Sequence, residues 1–141
     1  MNQTDSDQAM QQLFRTAHTI AVIGLSPKTD RPSYRVAAYL KEQGYRIIPV
    51  NPQCRDILGE TCYPSLAEVP AEITIDIVDV FRRAEDTPPL ATTTVERGGV
   101  RAFWLQSEII SEEAMAIVRQ AGLMAVQDRC LMVEHRRLMA G

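Results

Sequence analysis

"TIAVIGLSPKTDRPSYRVAAYLKEQG", residues 19–44, changes its period once. Thr19 to Ile23 form an apolar run closed by Gly24, the pattern of a strand buried on both faces. A polar loop follows. From Pro32 onward the apolar residues recur at helical spacing. Pro32 and Ser33 are helix-start residues and Gly44 is a helix stop. Strand, loop and helix in that order predict the first half of a parallel βαβ unit.

Outward from this unit the alternation continues. Residues 1–7 are polar and are expected to be disordered, with a leading helix in "QAMQQLFRTA", residues 8–17. "YRIIPVN", residues 45–51, is a second strand, and Pro49 inside it predicts an irregular or edge position. Residues 52–70 form a long loop with one helical turn at "SLAEV". "TIDIVDVF", residues 74–81, is a third strand, and a helix from Pro88 to Arg97 follows, with the prolines in its first turn. "VRAFWLQ", residues 100–106, is a fourth strand. Ser111 starts the next helix, "LMAVQD" is a fifth strand, and a closing helix begins at Cys130. The fold class is therefore α/β: a doubly wound, Rossmann-like parallel sheet of five strands with helices on both faces, in one domain over residues 8–141.

Composition excludes several function classes. The chain has 141 residues, 45% hydrophobic and 23% charged, as expected for one globular domain with a real core. Its net charge of -3 argues against nucleic acid or an acidic membrane as a partner. No apolar run approaches the roughly 20 residues that span a bilayer. The start "MNQTDSDQAM" is unlike a signal peptide, so a cytoplasmic location is expected. Three irregularly spaced cysteines, Cys54, Cys62 and Cys130, predict neither a disulfide framework nor a zinc site.

In doubly wound sheets ligands bind beyond the carboxyl ends of the strands. The loop after the first strand lies there, with Lys28 and Arg31 as cations and Ser26 and Ser33 as hydroxyls. It is either a phosphate cradle at a helix N-terminus or a capped helix beside two solvated cations. The end of the second strand, "VNPQCR", has Asn51 and Arg55 where NAD sites carry an acid. That argues against NAD and permits NADP or the 3′-phosphorylated ADP of coenzyme A. A lone Gly24 in place of three glycines also disfavours both nicotinamide cofactors. Phe81, Arg82 and Arg83 end the third strand and Gln106 and Ser107 end the fourth, at the same rim. Trp104 is expected in the core, and Asp128 and Arg129 are expected to pair with each other. Cys130 is either a small packing residue or a thiol activated by a helix N-terminus.

The motifs "VIGLSPKTDRPSYRVAAYL", "IIPVNP", "LGETCYPSL", "VDVFRR", "WLQSEIISEEA" and "DRCLMVEH" together resemble the small CoA-binding domain family. That family is similar to the N-terminal CoA-binding domain of the succinyl-CoA synthetase alpha subunit. The resemblance covers residues 10–139. It implies coenzyme A, or an acyl-CoA, as the ligand. By the same resemblance Gly24, Leu25, Ser26, Pro27, Lys28, Arg31, Pro32 and Ser33 would surround the phosphates. Asn51 and Pro52, with Arg55, would flank the nucleotide end, and Phe81, Arg82, Leu105 and Gln106 would line the opposite wall. Neither His18 nor His135 matches the synthetase's phosphorylated histidine, so its ligase reaction does not carry over. The chain is expected to bind CoA without catalysis of its own. The alternatives are a small NADP-linked or sugar-nucleotide enzyme, or a ligand-free structural partner subunit. A protein partner or a homo-oligomer stays open.

Overall fold

A computed structural model describes residues 3–139 of the chain. The core is a parallel sheet of β1 (Thr19–Ile23), β2 (Arg46–Val50), β5 (Ile77–Val80), β6 (Ala102–Leu105) and β7 (Met124–Val126), in the order β2-β1-β5-β6-β7. The chain winds from β1 to β2 on one side, then returns to β5 and winds through β6 to β7 on the other. The strand order therefore reverses between β1 and β5, which opens a crevice at their carboxyl ends.

The sheet buries both faces, and alternate residues on each strand serve opposite layers. Ile20, Val22, Ile47, Ile77 and Trp104 point to one layer, built from α1 (Gln3–Thr16), α2 (Pro32–Glu42) and α5 (Leu131–Met139). Ala21, Ile23, Ile48, Val78, Val80, Phe103 and Leu105 point to the other, built from α3 (Thr87–Arg97) and α4 (Glu112–Gln120). This is the five-stranded α/β architecture expected. Trp104 is fully buried, and its indole N–H donates to the Arg129 carbonyl at 2.8 Å. α5 is tied to α1 by a bidentate Arg137–Asp7 pair at 2.8 and 2.9 Å.

Pro49 fits because β2 is an edge strand. Its carbonyl faces away from β1 and accepts from Tyr63 N–H at 3.0 Å, so no partner strand needs the N–H that proline lacks. Two elements differ from expectation. α1 begins at Gln3 rather than near residue 8, and the first two residues of the expected disordered lead lie outside the described residues. The long loop after β2 holds, besides its expected turn at Leu66–Glu68, a small hairpin of β3 (Asp56–Ile57) and β4 (Glu60–Thr61).

Candidate ligand site at the carboxyl edge

Gly24 ends β1 with φ +86°, and a Cβ there would lie 2.3 Å from the Phe81 carbonyl oxygen at the end of β5. The glycine is thus required by a backbone crossing at the switch point, quite apart from any ligand. Its N–H donates to the Val50 carbonyl at 2.9 Å, which joins the ends of β1 and β2.

Past Gly24 the loop braces itself. Leu25 is fully buried. Ser26 Oγ accepts from Lys28 N–H at 3.1 Å, and Lys28 carbonyl accepts from Arg31 N–H at 3.1 Å. Pro32 occupies the first turn of α2, which makes Arg31 the N-cap residue, and no side chain caps that helix end. Ser33 is therefore not the cap that its residue type suggested. It is buried at the second helical position, where its Oγ accepts from Ser26 N–H at 3.0 Å. The first-turn N–H groups of α2 have no intrahelical acceptors and face the loop. Pro27, Lys28, Arg31 and Pro32 are exposed, and among the described residues neither Lys28 nor Arg31 forms a salt bridge. Helix dipole and both cations favour an anion at this point.

Two clefts flank the loop. One, of about 320 Å³, lies toward the α3 layer and is lined by Ile23, Val50, Pro52, Ser65, Arg82 and Leu90 among others. The second, of about 440 Å³, lies between α2 and α5 and has Pro32, Val36, Phe81, Gln106, Cys130 and Met132 in its walls. A shallow trough over Phe81, Arg82, Arg83, Asp86 and Ile109 connects them. Arg82 and Arg83 both approach Asp86, at 4.0 and 3.4 Å, but stay 44% and 77% exposed. Such pairs are weak and leave the guanidinium groups free to turn toward a ligand. Arg55 is also exposed and makes no salt bridge among the described residues.

Other expected site residues are committed elsewhere. Asn51 Nδ2 donates to the Leu25 carbonyl at 2.9 Å and its Oδ1 accepts from Gln53 N–H at 2.8 Å, so its side chain fastens the rim. Leu105 is fully buried in the α3–α4 layer and offers the crevice no side-chain surface. Gln106 is buried, and its Oε1 caps α5 by accepting from Leu131 N–H at 3.0 Å. Asp128 and Arg129 do not pair. Asp128 Oδ1 accepts from Glu108 N–H at 2.7 Å, and Arg129 meets Glu134 at 3.4 Å. Cys130 immediately precedes α5 and lines the second cleft. His135 lies buried in α5, its Nδ1 2.7 Å from Tyr39 Oη, and burial lowers its pKa.

The sequence carried no assignment for Asp76 or Asp79. Asp76 Oδ2 accepts from the His18 and Thr19 N–H groups at 2.8 and 3.0 Å, which closes the entry to β1. Asp79 is level with Val22 and Trp104 in the sheet, completely buried, and its carboxyl oxygens have no hydrogen-bond partner among the described residues. Burial pushes its carboxyl well above the usual carboxylate range.

A family described as CoA binding domain matches residues 18–136. An uncharacterized Bacillus subtilis protein, YneT, is 36% identical over 133 residues, covering 94% of this chain and 96% of its own. The ADP-forming acetate–CoA ligase II of Archaeoglobus fulgidus is 32% identical over 97 residues, 67% of this chain, and this stretch is 14% of the ligase. Among solved structures, cell-free ID.343 from Thermus thermophilus superposes with a TM-score of 0.88 at 38% identity, covering 98% of this chain and 99% of that one.

Proposed function

Because this chain belongs to the CoA-binding domain family, we propose that it is a binding module for coenzyme A, gripping the ligand chiefly by its phosphates. The observation that carries this reading is the uncapped N-terminus of α2, set at the switch point beside Lys28 and Arg31. The residues present fit the cofactor. A diphosphate needs donors and positive charge where the loop supplies both. One cleft lies on the α3 side of the sheet's carboxyl edge and the other on the α2–α5 side, which suits a ligand with a nucleotide at one end and a long arm at the other.

Gly24, Leu25, Ser26 and Pro27 shape the loop, Ser33 braces it, and Lys28 and Arg31 with the Pro32 end of α2 hold the diphosphate. Pro52, Arg55 and Arg82 attend the nucleotide and its 3′-phosphate, Asn51 fastens that rim, and Phe81 and Gln106 border the arm. His18 sits before β1, at the far edge of the sheet, and His135 is engaged with Tyr39. Neither histidine reaches the crevice, which supports binding rather than phosphohistidine chemistry.

Calorimetric titration with CoA, dephospho-CoA and NADP tests this. CoA is expected to bind, and dephospho-CoA about tenfold more weakly, the value of one charge-assisted hydrogen bond. Equal affinity for the two would remove the 3′-phosphate from the reading. Tighter binding of NADP than of CoA would overturn it.

A further inference from the structure

Both clefts have mixed linings. The nucleotide-side cleft sets Ser65 and the Arg82–Asp86 pair, 4.0 Å apart, among Ile23, Val50, Leu66 and Leu90. The cleft between α2 and α5 is walled by Pro32, Val36, Phe81, Ile109 and Met132, with the Cys130 thiol beside them. Its polar lining is turned to other tasks. Gln106 Oε1 is held by Leu131 N–H, and the Arg35 guanidinium reaches back to the Asp30 carbonyl at 3.3 Å. Ser107 and Glu108 are exposed at the mouth. Next to Ile109, Ile110 is 52% exposed, one of two large apolar residues so open to water among the described residues. A free CoA arm ends in a small thiol and would leave much of this surface wet.

We propose that the site takes CoA thioesters of apolar carboxylic acids in preference to free CoA, with the acyl chain lying in the α2–α5 cleft against Phe81, Ile109 and Met132. This rests on the CoA reading above. The cleft is continuous with the proposed phosphate loop through Pro32, which starts α2 and lines the cleft, so one extended ligand can occupy both. Burying a methylene strengthens binding about fourfold. Hexanoyl-CoA has four more methylenes than acetyl-CoA and is expected to bind at least about tenfold more tightly even with partial burial.

The test titrates the full chain with CoA, acetyl-CoA and hexanoyl-CoA, and maps the chain's position by thiol alkylation. Cys130 lines the cleft, Cys54 lies in the loop after β2, and both are partly exposed. Hexanoyl-CoA is expected to slow alkylation of Cys130 more than saturating acetyl-CoA does, neither carrying a free thiol to consume the reagent, and to affect Cys54 no more than acetyl-CoA does. Met132→Asp, which puts a charge in the cleft wall, is expected to weaken hexanoyl-CoA at least about tenfold more than it weakens CoA, and so to remove the preference. CoA and hexanoyl-CoA binding equally would overturn the inference and leave the CoA reading intact. A gain in affinity without added protection of Cys130 would also overturn it, because the chain would lie elsewhere. Failure of every CoA compound to bind would overturn the parent reading as well.

Discussion

Two loops of this protein carry an arginine at a helix end, and they treat it in opposite ways. Arg97, in the last turn of α3, donates to the carbonyls of Leu66, Val69, Pro70 and Ile73, at 3.4, 2.9, 2.7 and 2.8 Å. One guanidinium closes the whole segment that leads into β5. Arg31, at the start of α2, is exposed and forms no salt bridge among the described residues. Equal charges thus serve structure in one loop and stay available in the other. Availability supports the second loop as the proposed ligand site more strongly than its residue types do.

Arg97→Ala is the strongest way to break this contrast. Removing a charged donor leaves several carbonyls short of partners, and the expected loss is about 3 kcal/mol or more of unfolding free energy. Urea denaturation measures it, and a loss below about 1 kcal/mol would mean that the four bonds do not hold the segment.

Asp79 sharpens the contrast from inside the core, because it has no hydrogen-bond partner among the described residues yet is completely buried. Its folded pKa is raised above the unfolded value, so the folded state holds a proton that the unfolded state releases. Stability is therefore full below about pH 4 and falls by about 1.4 kcal/mol per pH unit until the raised folded pKa is reached. The buried His135 has the opposite sign: its lowered pKa costs stability as pH falls below about 6.5. Asp79→Asn is expected to flatten the decline on the alkaline side and leave the histidine's contribution in place. Denaturation midpoints at pH 5 to 8 compare the two proteins, and parallel curves would show that Asp79 does not titrate as a buried acid.

Arg31→Ala is expected to weaken CoA roughly tenfold and to leave stability within about 0.5 kcal/mol. A fall in melting temperature with unchanged CoA affinity would reverse the roles assigned to the two arginines. Ser33→Ala gives the smallest change. Loss of the bond from Ser26 N–H should cost about 1 kcal/mol and loosen the loop, with a severalfold loss of CoA affinity. Unchanged melting and binding would make the brace irrelevant.

The five main strands were legible because each writes a short apolar run, buried on both faces in β1, β5, β6 and most of β2 and partly buried in β7. The β3–β4 hairpin was not. Its strands are two residues long, and its turn puts both Leu58 and Gly59 at positive φ, a conformation that Gly59 signals and Leu58 conceals. Ser33 was misplaced although the clue was present: proline at the first helical position makes Arg31 the cap. Asn51 and Gln106 have residue types suited to a ligand, but hydrogen bonds across 26 and 25 residues of chain consume groups that composition suggests are free. Such long-range commitments leave no local mark in a sequence.

Gly24 has a consequence for how this protein can diverge. With φ at +86° and a carbonyl oxygen 2.3 Å from where a Cβ would stand, every other residue is barred by the close approach of the Phe81 backbone just past β5. Pro27, Lys28, Thr29, Asp30 and Arg31 are all exposed and touch no such constraint. Mutational drift is therefore forbidden at the pivot and cheap a few residues away, so descendants of this chain can change the ligand preference of the proposed site without putting the sheet at risk.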